Sequence, residues 1–159
     1  MDAADNLSVR VFVYGTLKRG GRYHAYCRGG QMIAEARMEG LLYDLPEGYP
    51  AIVVPEATIL AVGTGDPAAD AREAKRMARE GVPKPGTPTV HGELYTFDDP
   101  EERLPALDAL EEFLPEDPKS PYRRVLVPVL PIGGEATLAW AYAARGPRGT
   151  NLPCGRWPA

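Results

Sequence analysis

Five runs rich in β-branched and aromatic residues set the terms on which this chain can fold: residues 9–14, 49–54, 90–97, 123–129 and 137–144. One or two further strands are expected within residues 32–45. The alternation along several runs is mixed rather than strict, as in strands whose two faces are both partly apolar, and this points to a barrel. Pro128 has no N–H to give a ladder, so it marks the run 123–129 as an edge or bulged strand. Gly133-Gly134 supplies the hairpin turn between the last two runs. With 159 residues, 44% of them apolar, the chain can bury one sizeable core, so residues 1–159 read as a single domain. The expected class is α+β: a small mixed, mainly antiparallel β-barrel with flanking short helices.

Two stretches interrupt this pattern. Residues 56–89 are rich in Gly, Pro, Ala and charge, and Asp66, Pro67 and Gly81 are placed to cap, begin and end a helix there. Its apolar positions, Ala71, Ala74, Met77 and Ala78, are too small to anchor it firmly. The stretch therefore reads as a surface insertion, either a mobile lid or a solvated decoration. The second is the irregular tail from Arg145, held by burial of Trp157. A helix is also expected over residues 105–114, with Leu107, Leu110 and Leu114 packed on the barrel.

Several function classes are disfavoured. The net charge of −4 does not suggest a nucleic-acid-binding face. No apolar run approaches the ~20 residues of a membrane span. The opening MDAADNLSVR carries acids where a secretory leader carries cations, so a cytoplasmic protein is expected. Cys27 and Cys154 allow one disulfide, but two reduced thiols suit that compartment better. His24 and His91, with no paired-cysteine motif, give little support to a zinc site, and no metal is expected.

Two places can carry chemistry. The alternating Val9, Val11 and Val13 run straight into Tyr14-Gly15-Thr16-Leu17-Lys18. Gly15 admits close approach of a ligand, and the N–H groups of Thr16, Leu17 and Lys18 are suited to a concave anion site with Lys18 and Arg19 beside it. The plainer alternative is a strand, a turn and two surface cations. The second place is Glu111, four residues from Leu107 and so on the edge of the apolar helix face, whereas Glu112 points to water. Desolvation raises a carboxyl's pKa and lets it hold and release a proton near neutrality. The alternative is a rim carboxylate meeting solvent, Arg123 or Arg124.

Tyr14-Gly15-Thr16-Leu17-Lys18, Leu107-Asp108-Ala109-Leu110-Glu111 and Tyr122-Arg123-Arg124, in that order, closely resemble the signature of the γ-glutamylcyclotransferase-like superfamily. That superfamily includes γ-glutamylamine cyclotransferases and the plant AIG2-like proteins. Further matches are Gly40-Leu41-Leu42-Tyr43, Gly48-Tyr49-Pro50-Ala51, Gly92-Glu93-Leu94-Tyr95 and Trp140-Ala141-Tyr142, and Gly155-Arg156-Trp157 resembles a closing Gly-Asp-Trp. The chain departs from the pattern at Glu112, where Gly is common, at Tyr23, where Asn often precedes the histidine matching His24, and in residues 56–89.

The resemblance implies the γ-glutamylcyclotransferase-like fold and a cofactor-free cyclisation. The α-amine of a γ-glutamyl amine or peptide attacks its own γ-carbonyl, giving 5-oxoproline and releasing the amine. Glu111 maps to the family's general acid/base. Tyr14, Gly15, Thr16, Leu17 and Tyr122 would bind the small-molecule γ-glutamyl substrate, with Tyr142 as a further wall. Two alternatives stand beside this: a cyclotransferase for a larger leaving group, such as a γ-glutamyl antibiotic intermediate, and a non-catalytic binding or interaction protein on the same fold.

Overall fold

The computed structural model describes residues 7–158, so most of the acidic opening considered above lies outside the described residues. The elements are β1 (Val9–Val13), β2 (Gln31–Glu39), β3 (Leu41–Asp44), β4 (Pro50–Val53), β5 (Ala61–Val62), α1 (Pro67–Arg79), β6 (Pro88–Phe97), α2 (Pro100–Leu110), β7 (Tyr122–Pro131), β8 (Thr137–Ala144) and β9 (Thr150–Asn151). Strands β2, β6, β1, β8 and β7 pair in that order, and β7 returns to β2 to close a five-stranded barrel. The β1–β8 pair is parallel, with Val11 opposite Trp140, and the other barrel pairs are antiparallel. A second sheet, β4-β3-β9, packs beside the barrel, and β5 pairs with β7 to add a short strand to the barrel sheet. This is the small α+β barrel that the strand runs predict.

Burial on both faces explains the mixed alternation. Val9, Val11 and Val13 join Leu138, Trp140 and Tyr142 in a cluster with Leu104 and Leu107 of α2. The intervening Phe12 and Tyr14 join Ala139, Ala141 and Ala143 in a cluster with Leu42 and Ile52 of the second sheet. Apart from exposed Arg10, both faces of these strands are covered.

Pro128 does not make β7 an edge. β7 pairs with β8 along its length, and its other side is shared between β5, at Val125 and Leu126, and β2, from Val129 to Pro131. The carbonyls of Arg124 and Leu126 face the β5 side, accepting from Gly63 and Leu60. Pro128, two residues further, therefore turns its missing N–H into the gap between β5 and β2, where no ladder partner is needed.

Helix α2 begins five residues earlier and ends four earlier than predicted. Asp99-Pro100-Glu101-Glu102 starts it, and Pro105 lies inside. The shift buries Leu104 and Leu107, leaves Leu110 half-buried and puts Leu114 outside the helix at 61% exposure. Phe113 takes the buried place that Leu114 was expected to fill.

Within residues 56–89, α1 is capped as the sequence predicts: Asp66 accepts from the Ala69 N–H at 3.0 Å, and Gly81 follows with φ +121°. The segment is more than a solvated decoration, however. Ala71 and Asp70 are buried, and Ala68, Ala74, Met77 and Ala78 pack against the cluster containing Leu104, Leu107 and Trp140. Small side chains suit close helix approach, and the sum of such contacts replaces one large anchor.

Candidate active site

Beyond Val13 the chain leaves β1 and turns through Tyr14–Leu17, with the Lys18 N–H closing on the Gly15 carbonyl at 3.1 Å. A Cβ on Gly15 would lie 2.5 Å from Pro50 Cγ, so glycine here lets the loop pack against β4. The loop carbonyls are taken up on the side of residues 21–27: Thr16 O accepts from the Tyr23 N–H at 2.9 Å, while Leu17 O meets His24 Nδ1 at 2.9 Å and Cys27 Sγ at 3.6 Å. Among the described residues, the N–H groups of Gly15, Thr16 and Leu17 have no hydrogen-bond partner. A run of free N–H groups is the raw material of an anion site.

The two cations expected beside them point elsewhere. Lys18 Nζ donates to the Trp157 carbonyl at 2.5 Å, and Arg19 is held by the Glu93 carboxylate through its N–H at 2.9 Å. Each is drawn to a stronger local acceptor. Arg22, set over the Tyr23 ring at 5.9 Å, is the cation that reaches the cavity.

That cavity, of about 580 Å³, opens between the loop, the end of α2, the β3–β4 turn and the start of β7. Tyr14, Gly15, Thr16, Leu17, Glu111 and Tyr122 all line it, and so does Tyr142. Arg22, Tyr26 and Glu47, which the sequence reading did not single out, also contribute, as does Tyr49, noted there only as part of a strand run and a family match. Arg22 and Glu47 lie in loops and Tyr26 in a single 3₁₀ turn, where no periodicity marks a buried or ligand-facing side.

Glu111 is the residue that ends α2. Its N–H still bonds Leu107 O at 2.9 Å, so the helical register carries its side chain to the cavity although the helix proper stops at Leu110. Glu112 follows at φ +56°, the left-handed position where glycine is favoured. Its N–H bonds Ala109 O at 3.3 Å, and the Phe113 N–H bonds Asp108 O at 2.9 Å, which together make a Schellman cap. Glu112 is exposed yet lines the cavity mouth, so it does not point wholly away from Glu111.

The electrostatics follow from this placement. Burial, then the neighbouring charge of Glu112, pushes the Glu111 carboxyl up to about 7. Burial, then the field of Glu111, lifts Tyr14 well above its usual range, and its hydroxyl donates to the Tyr142 carbonyl. Tyr122 is raised by burial first, then by Tyr49 and Glu111. The Tyr122 hydroxyl is buried with no partner among the described residues. An orphaned buried hydroxyl in a cavity wall is open to a ligand's hydrogen bond. Cys27 is buried and Cys154 exposed, both as free thiols.

The family model for gamma-glutamyl cyclotransferase, AIG2-like proteins matches residues 11–79 and 71–159. The chain belongs to that family. The two matches meet inside α1, so between them they span the cavity and its surroundings. Solved structures of the same fold include an AIG2-like protein from Mus musculus, 21% identical, with a TM-score of 0.56 over 89% of this chain and 80% of that one. An uncharacterised protein from Pyrococcus horikoshii is 22% identical, with a TM-score of 0.54 over 94% of this chain and 89% of that one. YkqA from Bacillus subtilis is 20% identical at TM-score 0.59; the match takes in 94% of this chain but only 39% of that one. No curated protein matches the sequence.

Proposed function

We propose that this gamma-glutamyl cyclotransferase, AIG2-like protein is a cofactor-free enzyme that cyclises a γ-glutamyl amine or peptide to 5-oxoproline. The observation that carries the reading is Glu111: a carboxyl pushed to about 7 in the wall of a cavity lined also by Gly15–Leu17, whose N–H groups lack partners among the described residues, and by Tyr122 with its orphaned hydroxyl. A carboxyl poised there takes a proton from the substrate's α-ammonium at neutral pH and returns it to the leaving nitrogen. The freed amine attacks the γ-carbonyl and a C–N bond forms; Glu111 protonates the leaving nitrogen as its bond to the carbonyl carbon breaks, and the extra proton on the new ring nitrogen passes back to the Glu111 carboxylate and on to the released amine. The loop N–H groups bind the α-carboxylate or the developing oxyanion, where preorganised donors act most strongly. Tyr14 and Tyr122 border the space in which the flexible glutamyl chain is folded with its ends together, and holding those ends lowers the barrier to ring closure.

The test is to incubate the protein with γ-glutamyl amines, γ-glutamyl dipeptides and glutathione and to measure 5-oxoproline. Glu111→Gln keeps size and shape but removes the proton shuttle, so turnover should fall by roughly 10²-fold or more with the fold retained. Full turnover by that variant would overturn the mechanism. Saturable binding of γ-glutamyl compounds without 5-oxoproline would make this a binding protein on the family's fold.

A further inference from the structure

Behind the cavity lies a second polar cluster that the proposed reaction does not use. Arg124 of β7 is fully buried. Its Nε and Nη2 donate to the two oxygens of Asp108, at 2.8 and 3.1 Å, and Nη1 donates to Asp70 Oδ2 at 3.1 Å. Nη2 also reaches the Thr64 carbonyl at 3.3 Å. The guanidinium sits over the Trp140 ring at 4.9 Å and near that of Phe113 at 5.7 Å. Asp70 is fixed in turn by the Thr64 N–H and hydroxyl, both at 2.8 Å.

Asp108 alone would balance the charge of Arg124, so a second buried carboxylate needs its own reason. Side-on pairing with Asp108 uses the Nε–Nη2 edge and leaves Nη1 facing the protein interior. Asp70 supplies that missing acceptor from α1. The neighbouring Gly63 makes room for it: a Cβ there would lie 2.7 Å from both Cζ and Nη1 of Arg124. Asp108 then connects the cluster to the cavity. Its carbonyl accepts the Phe113 N–H that closes the cap around Glu111 and Glu112, and its Oδ1 accepts the Tyr142 hydroxyl at 2.6 Å. Tyr142 in turn accepts from the Tyr14 hydroxyl through its carbonyl.

We propose that Asp70, carried by the 56–89 segment, is a positioning residue that holds Arg124 and, through Asp108, the turn that aims Glu111 into the cavity. This rests on the reading of Glu111 as the acid/base and assigns to α1 a part in the reaction that its distance from the cavity conceals. The groups that face Glu111 are Glu112 beside it, Tyr14 after β1, Tyr122 at the start of β7 and Tyr142 of β8. None of them belongs to the 56–89 segment, so Asp70 acts on Glu111 through placement.

The experiment uses the full chain with three variants. Asp70→Asn removes the charge and one acceptor, Gly63→Ala displaces the guanidinium with every charge retained, and Glu73→Gln is a control on the exposed face of α1. Turnover is measured well below the melting temperature, and the Glu111 carboxyl is titrated by carbon NMR, assigned by its loss in Glu111→Gln. Asp70→Asn and Gly63→Ala should lower kcat about 10-fold or more while KM changes less than about threefold, since misplaced catalytic groups lose rate rather than binding. The Glu111 midpoint should fall from near 7 toward the ordinary carboxylate range in both, because a loosened turn admits water. Glu73→Gln should behave as wild type. Variants that melt earlier yet keep wild-type kcat and midpoint would overturn the proposal, as would a loss of kcat with the midpoint unmoved. If Asp70→Asn does not fold, Gly63→Ala decides. If the wild type makes no 5-oxoproline from any substrate, the reaction assignment fails and the titration alone judges whether Asp70 positions Glu111.

Discussion

The two polar clusters on either side of Asp108 are built on opposite plans. On the cavity side, the Gly15–Leu17 N–H groups and the Tyr122 hydroxyl are without partners among the described residues, and Glu111 is kept from full solvation. On the far side, both oxygens of Asp70 and of Asp108 accept hydrogen bonds, and Arg124 reaches three residues. Buried polar groups are ordinarily paired, because an unmet donor or acceptor in a dry site costs about 1–3 kcal/mol. The saturated cluster therefore adds rigidity, while the unsaturated one holds capacity for a ligand. Proteins keep such capacity where a neighbouring framework is stiff enough to hold it open.

This contrast breaks most readily at Arg124. Arg124→Met removes the one cation that, among the described residues, pairs with Asp70 and Asp108, and leaves two buried carboxylates facing each other. Unfolding in urea should show a loss of about 3–5 kcal/mol, the range for removing one partner of a buried ion pair. A loss below about 1 kcal/mol would mean that the cluster is no stiffer than the surface.

Glu111 sharpens the comparison through pH. Its folded-state pKa is raised from 4.5 to about 7, so the folded protein binds a proton that the unfolded chain releases across that window. The stability linked to this group is present below pH 4.5 and is lost as pH rises through 7. Wild type should lose on the order of 2 kcal/mol relative to Glu111→Gln between about pH 4.5 and 8, after discounting for its partial exposure. Parallel stability curves for the two proteins would show that the carboxyl is solvated.

The smallest effect belongs to Glu112. Holding a non-glycine residue at φ +56° costs about 1 kcal/mol, so Glu112→Gly should raise the melting temperature by about 2–4 °C. Removing its charge should also lower the Glu111 midpoint, since Glu112 is the second cause of the shift. No change in melting temperature would mean that Glu112 makes compensating contacts at the cavity mouth.

The strands were legible because short runs rich in β-branched and aromatic residues, bounded by turn signals, read as strands even where both faces are apolar and the alternation is mixed, and the expected Thr137–Ala144 strand matches β8 without adjustment. Helix α2 was misplaced because two prolines offered competing starts. Pro105 resembles a first helical residue, but Pro100 starts the helix with Glu101 and Glu102 in its first turn, and the burial of Leu104 and Leu107 on either side of exposed Pro105 offsets its missing N–H. Glu111 came out at the cavity despite that error, because its spacing from Leu107 survives the helix end. The Asp70–Arg124 pair was not legible: the partners stand 54 positions apart, and nothing in the spacing of single charges announces a buried contact. Lys18 and Arg19 misled for the same reason, since their partners, Trp157 and Glu93, are distant in the chain.

The parallel pairing of Val11 with Trp140 sets the timetable of folding. β1 leaves the ribosome well before either of its neighbours: β6 arrives only after α1, and β8 later still. Until β8 emerges, β1 has an open edge and cannot complete the barrel. Long-range strand pairing slows folding and leaves apolar edges exposed meanwhile. A nascent chain cut short before β8 should therefore be an aggregation-prone fragment, and the cavity, whose walls run from Phe12 to Tyr142, should form only after β8 has emerged.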